Sequence, residues 1–223
     1  IAAVDRNTGK IKWKTQRENK TRSYVTPIIR KIGGRTQMVL SGSKSVVSYD
    51  PNTGKRHWII DGPTEQFVAS MVYNGEYFFV TGGYPERHIL AIRPDGHGNV
   101  TNTHITWRTN RGAAYVPSPI VEGKHLLVVS DNGIASCFMA NDGKRLWMER
   151  LGGGHSASII SAEGLVYCVS DKGVTTVLRL GPKFDVISRN DIGEPVSSSP
   201  AVSQSQIFLR GDKHLFCIGA KKN

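Results

Sequence analysis

A ten-residue pattern returns along this chain at nearly constant spacing, and such returns demand an array of like structural units. Val4-Asp5-Arg6-Asn7-Thr8-Gly9-Lys10-Ile11-Lys12-Trp13 recurs as Tyr49-Asp50-Pro51-Asn52-Thr53-Gly54-Lys55-Arg56-His57-Trp58. A degraded copy, Met139-Ala140-Asn141-Asp142-Gly143-Lys144-Arg145-Leu146-Trp147, follows later. Trp107 ends a segment with a longer turn, and the four tryptophans stand 45, 49 and 40 residues apart. Asp and Thr can bond their own backbone to start a turn, and Gly9, Gly54 and Gly143 can take the positive φ that closes a hairpin with a bulge. Each Trp, four residues past its Gly in the three compact copies, can then cover a neighbouring unit.

A second pattern is interleaved with the first. Tyr24-Val25-Thr26-Pro27-Ile28-Ile29 aligns with Tyr115-Val116-Pro117-Ser118-Pro119-Ile120-Val121 and with Ser198-Ser199-Pro200-Ala201-Val202. Ser156-Ala157-Ser158-Ile159-Ile160 and Phe67-Val68-Ala69-Ser70-Met71-Val72 are further copies. Short apolar runs rich in Val, Ile, Tyr and Phe follow each, bounded by Gly, Asn and Asp turns, and no segment has a 3.6-residue apolar period. Four short β-runs per unit, repeating every ~40–50 residues, predict an all-β chain folded as a β-propeller of four-stranded antiparallel blades. The register places complete blades at about 23–61, 67–110, 115–151 and 155–190, with partial blades at 1–16 and 195–219. The chain start could lend a fourth strand to the last blade. The rival reading is a cut arc of a larger ring, in a single propeller domain or fragment spanning 1–223.

Here a resemblance becomes specific. Ala3-x-Asp5-x-x-Thr8-Gly9-Lys10-x-x-Trp13 resembles the tryptophan-docking repeat of the pyrroloquinoline-quinone-like, or quinoprotein alcohol dehydrogenase-like, propellers. That family includes catalytic dehydrogenases and the non-catalytic lipoprotein propeller of outer-membrane assembly. The docking motif is carried by Asp5, Gly9, Trp13, Asp50, Gly54, Trp58, Trp107, Gly143 and Trp147; in the 155–190 unit Ile187 stands roughly where Trp would be. The resemblance implies a bacterial, exported protein of the periplasm or cell envelope, and a ring of seven or eight blades.

Catalytic members of that family are expected to carry two adjacent cysteines over the quinone and a calcium held by Glu, Asn and Asp. Cys137, Cys168 and Cys217 are 31 and 49 residues apart and sit in apolar β-like runs, where they read as small buried hydrophobes. Asp5-Arg6-Asn7-Thr8-Gly9 starts like a calcium loop but lacks the distal Glu. Gly154-His155-Ser156-Ala157-Ser158 is nearly a nucleophile elbow, yet lacks the last Gly and precedes a strand. Gly152-Gly153-Gly154 has no following helix to make it a phosphate loop. The histidines show no zinc spacing. No catalytic, cofactor-binding or metal residue is therefore assigned. Pyrroloquinoline quinone and calcium remain possible only through blades outside this segment.

Lys plus Arg number 29 against 18 Asp plus Glu, a formal charge of +11 over 223 residues. The densest basic stretch is 10–22, interrupted by apolar and polar residues. Such charge is either a solvated surface or an attraction to an anionic partner. Nucleic acid is disfavoured, because no reading motif accompanies it. The topology adds a location. Loops leading into strand one and loops between strands two and three emerge on one face of a propeller. The candidates for binding on that face are Arg22, Tyr24, Phe67, Tyr84, Arg87, Arg111, Tyr115, Asn132, His155, Lys172 and Lys213, with Glu194 beside them. The leading expectation is a non-enzymatic scaffold of the cell envelope with a protein or an anionic envelope polymer as partner. The alternatives are a quinone-dependent dehydrogenase and a carbohydrate- or anionic-polymer-binding module.

Overall fold

The computed structural model describes residues 1–19, 21–62 and 64–219. Lys20, in the basic stretch, lies outside them. The described residues form 22 β-strands and no helix. Two compact units divide the chain, Ile1–Asn110 and Arg111–Asn223.

The first unit opens with a hairpin of β1 (Ala2–Val4) and β2 (Ile11–Lys14). A sheet follows from β3 (Ile28–Ile32), β4 (Arg35–Ser41), β5 (Ser45–Tyr49) and β6 (Arg56–Asp61), paired antiparallel in chain order. The next sheet contains β7 (Val72–Tyr73), β8 (Phe78–Gly82), β9 (His88–Ile92) and β11 (Ile105–Thr109). Between β9 and β11 the short β10 (Gly98–Asn99) leaves that sheet and pairs parallel to β6, making it five-stranded.

Period-2 alternation explains why β4 reads as a continuous apolar run. Val39, Val46, Trp58 and Ile60 face one core with Phe78, Val80, Leu90 and Ile92. Met38, Leu40, Val47 and Ile59 face the other, with Trp13 and Ile1 packed against them. Both faces of the sheet are thus covered, and each fully buried aliphatic side chain contributes roughly 1.5–3 kcal/mol.

The second unit holds a sheet of β12 (Ile120–Glu122), β13 (His125–Val129), β14 (Ile134–Met139) and β15 (Arg145–Arg150). A second sheet comprises β16 (Ile160–Ala162), β17 (Leu165–Val169), β18 (Val174–Arg179) and β19 (Asp185–Asp191). A three-stranded sheet of β20 (Ala201–Ser203), β21 (Gln206–Arg210) and β22 (Leu215–Gly219) completes it. Among the described residues β22 pairs with β21 only. Leu127, Val129, Cys137, Val166, Cys168 and Leu178 form the core between the first two sheets. Ala157, Val169, Val196 and Leu209 form the core beside the third.

The docking turns have one construction. Asp5 Oδ1 accepts from the N–H groups of Asn7 and Thr8, both at 3.0 Å, and Gly9 N–H donates to Asp5 O at 2.8 Å. Asp50 accepts from Asn52 and Thr53 in the same way, at 2.7 and 3.3 Å. Gly9, Gly54 and Gly143 have φ of 69°, 73° and 73°, the left-handed region that favours glycine. A register shift follows each turn, and it sets a small residue opposite the indole: Ala3 faces Trp13, Ser48 faces Trp58, Ala91 faces Trp107 and Cys137 faces Trp147. In the sheet of β16–β19 the register pairs Val177 with Ser188. Ser188, not Ile187, therefore stands at the Trp position, and Ile187 is exposed.

Trp13 Nε1 donates to Pro51 O at 2.9 Å and Thr15 Oγ1 to Gly54 O at 2.8 Å, so the first hairpin docks on the next docking turn. Trp147 repeats this on Gly181 O at 3.0 Å, with the Phe184 ring 5.2 Å from its own. Trp58 differs. Its Nε1 donates to Gln37 Oε1 at 2.9 Å, and Gln37 Nε2 passes the link to Pro94 O at 2.9 Å.

Cys137 and Cys168 are buried as expected, and burial pushes both thiols up to about 12. Cys217 departs from that expectation: it is exposed, because the outer strand β22 has no cover on its face. One thiol should therefore react with a small disulfide reagent in the native protein, and three after denaturation. Three rapid reactions without denaturant would contradict this burial.

Candidate functional site

In the first unit, the segment before β3, the segment before β7 and the β8–β9 loop are tied together. Tyr24 N–H donates to Phe67 O at 2.9 Å, and Ser23 Oγ donates to Ser41 O at 3.1 Å. Tyr84 N–H donates to Gln66 O at 3.1 Å, while Glu65 N–H donates to Tyr84 O at 3.1 Å. Thr21 Oγ1 donates to Glu65 O at 3.0 Å. Lys44 Nζ, from the β4–β5 hairpin, lies 3.1 Å from Glu65 Oε1. These bonds bring Arg22, Tyr24, Tyr84 and the strand-one residues around Phe67 onto one face. Tyr24 and Tyr84 are 61% and 58% exposed. Arg22 and Arg87 are exposed as well. Phe67 is the exception: it is fully buried and belongs to the core with Trp58 and Phe78. Its backbone carbonyl serves this face, and its ring does not.

In the second unit carboxylates cap the incoming strands. Asp131 Oδ2 accepts from Tyr115 N–H at 2.8 Å and its Oδ1 from Val116 N–H at 3.0 Å. Asp171 Oδ1 accepts from Ser156 N–H at 2.8 Å. Glu194 Oε1 accepts from His214 N–H at 3.0 Å, and its Oε2 lies 3.2 Å from His214 Nδ1. A carboxylate accepting backbone N–H bonds satisfies donors that would otherwise lack partners. Small residues make room: a Cβ on Gly154 would lie 2.5 Å from Asp171 Oδ2. Sequence reasoning missed these caps, although Asp131 and Asp171 stand in the repeated Asp-x-Gly turns that signal them.

Arg111, Asn132, Lys172 and Lys213 are exposed, and Tyr115 is half-buried. His155 is not a surface group: it is 2% exposed. Burial pulls its pKa below the ordinary value, against the opposing Gly153 carbonyl and Asp171. The imidazole is therefore neutral near neutral pH. The elbow-like segment at 154–158 does not expose a nucleophile on a strand-to-helix turn. Its Ser156 N–H is held by Asp171, and β16 follows. The seryl oxygens along this segment serve as latches between strand-one segments. Ser118 N–H donates to Ser158 Oγ at 3.1 Å, and Ser158 N–H donates to Ser199 Oγ at 2.9 Å. In the first unit Thr26 N–H donates to Ser70 Oγ at 3.4 Å.

The residues present do not fit a quinone–calcium centre. Cys137 and Cys168 sit on β14 and β18's partner strand β17, inside a core, with protonated thiols. No group of three or more His, Cys, Asp or Glu among the described residues could hold a metal ion. No reaction step is drawn through either group. No described helix is long and apolar enough to cross a membrane.

Comparisons with known proteins agree on the fold. Among curated proteins, none matches this chain. Among solved structures, BamB from Moraxella catarrhalis superposes with a TM-score of 0.74 at 12% identity. The match covers 94% of this chain and 63% of that one, so this chain spans less than two thirds of its length. At that identity the likeness shows a common β-propeller fold. The family model described as "Outer membrane protein assembly factor BamB" matches residues 1–117 and 100–183. With most of its length matched and its docking tryptophans in register, the chain belongs to this family of pyrroloquinoline-quinone-like repeat propellers.

Proposed function

We propose that this protein is a non-enzymatic binding scaffold of the cell envelope, whose loop face holds a protein partner. The observation that carries the reading is the pair of exposed tyrosines, Tyr24 and Tyr84, presented by segments bonded to one another through Phe67 and Gln66. Aromatic residues held on a rigid support are favoured anchors in protein interfaces. Arg22 and Arg87 flank them and suit a partner with acidic residues. Family membership supports an exported protein, since the family description places its type member in outer-membrane protein assembly.

A photoreactive residue at position 84 should form an adduct with an envelope protein in living cells. The same probe at Ile187 on β19, 44% exposed, should form little. Tyr24→Ser should weaken the position-84 adduct by about tenfold, the effect of losing one interface anchor. Equal adducts at 84 and 187, or none at 84, would sink the reading.

A further inference from the structure

We propose that the cleft between residues 15–19 and the β4–β5 hairpin is a binding site for the oxyanion of an acidic sugar, with Arg17 as its anchor. The cleft contains neither Tyr24 nor Tyr84 and its test changes neither; only the wider groove beside it shares Arg22 with the tyrosine face.

The cleft has a volume of about 280 Å³; the hydroxyl and amide side chains of Thr15, Asn19, Ser43 and Tyr49 line it together with apolar Val47 and Ile59 and the ion-paired Glu18 and Arg56. Arg17 is half-buried in it. One guanidinium nitrogen donates to Gly42 O, and the Tyr49 side chain lies beside the group. Among the described residues no carboxylate pairs with it. The adjacent Glu18 is instead paired with Arg56. Burial pulls the Arg17 pKa down, opposed only by Tyr49. Burial likewise pushes the Tyr49 phenol up, so it stays a neutral donor.

A desolvated cation without an anion is a costly arrangement that an incoming oxyanion relieves. The guanidinium fork suits a carboxylate or phosphate, which it can bond at two oxygens. The walls decide the rest of the ligand. Hydroxyls and amides beside Arg17 can bond a polyhydroxylated body, and Val47 and Ile59 can cover the apolar C–H face of its ring. The cleft also shares Thr15, Arg17, Asn19 and Ser43 with a wider groove of about 470 Å³ that adds Lys14 and Arg22. That groove gives an anion a positively charged approach.

Titration calorimetry of the full-length protein at low salt tests this with glucuronate, glucose 6-phosphate, glucose and glutamate. Glucuronate or glucose 6-phosphate should bind, and the tighter of the two identifies the oxyanion as carboxylate or phosphate. Glucose and glutamate should bind at least about tenfold more weakly, each lacking one half of the recognition. Arg17→Gln should weaken the acidic sugar by about tenfold or more, the range for a hydrogen bond to a charged group. Tyr49→Phe, which keeps the ring, should weaken it severalfold and serves if Arg17→Gln does not fold. The proposal is overturned if neither acidic sugar binds or if Arg17→Gln binds as wild type does. Glucose binding equally removes the oxyanion, and glutamate binding equally removes the sugar in favour of an acidic peptide.

Discussion

Trp58→Ala should destabilise the first unit by roughly 3–5 kcal/mol, the range for truncating a buried tryptophan. Trp58 is fully buried among Val39, Val46, Phe67 and Val100, so its loss leaves a cavity touching two sheets. It also breaks the relay from Trp58 Nε1 through Gln37 to Pro94. Gln37 Oε1 keeps one donor, Ser48 Oγ at 2.9 Å, so the polar loss is the smaller part. Trp58→Phe retains most of the ring volume and should cost appreciably less, about 1–2 kcal/mol. Trp13→Ala removes a half-buried ring and should fall between the two. Urea denaturation of the three variants reads the order directly. If Trp58→Ala and Trp13→Ala lie within about 0.5 kcal/mol, full burial is not what sets Trp58 apart.

Gly54→Ala should cost roughly 2–5 kcal/mol, whereas Gly9→Ala should cost about 1–2 kcal/mol. The two glycines have nearly the same φ, 73° and 69°, and so the same backbone penalty. Their surroundings differ. A Cβ on Gly54 would lie 2.6 Å from Thr15 Oγ1 and 2.8 Å from Trp13 Cδ2, while one on Gly9 would meet nothing within 4 Å. The difference between the variants therefore measures the docking of Trp13 and Thr15 on this turn. Thermal denaturation with both alanines side by side checks it. Equal losses would mean that the Trp13 contact moves aside without cost.

The repeat made much of this fold legible. Asp-x-x-Thr-Gly-Lys is a local device: its hydrogen bonds lie within five residues, so the turn is written where it forms. The small residue before the Asp, Ala3 or Ser48, is readable for the same reason, since register places it opposite the indole. What escaped the sequence depends on distant neighbours. Phe67 and His155 look like loop aromatics, but Phe67 turns into the core with Trp58 and Phe78, and His155 lies buried beside Gly133 and Gly153. Ile187 looked like the Trp equivalent because the turn at 180–184 is longer and shifts the register to Ser188. Arg17 was visible only as one cation in a basic stretch. Its burial depends on Gly42 and Tyr49, at least 25 residues away in sequence. The parallel pairing of β10 could not be read at all, for Gly98-Asn99 has no strand propensity of its own.

That pairing bears on how the molecule stays apart from its own copies. An outermost strand with unpaired backbone groups invites edge-to-edge aggregation. On β6 the excursion at 93–104 covers this edge: Gly98 and Asn99 pair with Trp58 and Ile59, and Val100 N–H donates to Ile59 O at 2.9 Å. The outer strands β15 and β19 have no such cover among the described residues and carry exposed charges instead, Arg145, Glu149 and Arg150 on one and Arg189 and Asp191 on the other. Shortening the 93–104 excursion would leave β6 with Trp58 and Ile59 beneath a bare backbone edge, with charges only at its two ends, Arg56 and Asp61. The inserted segment is thus a guard for an outer strand whose middle carries no charge of its own.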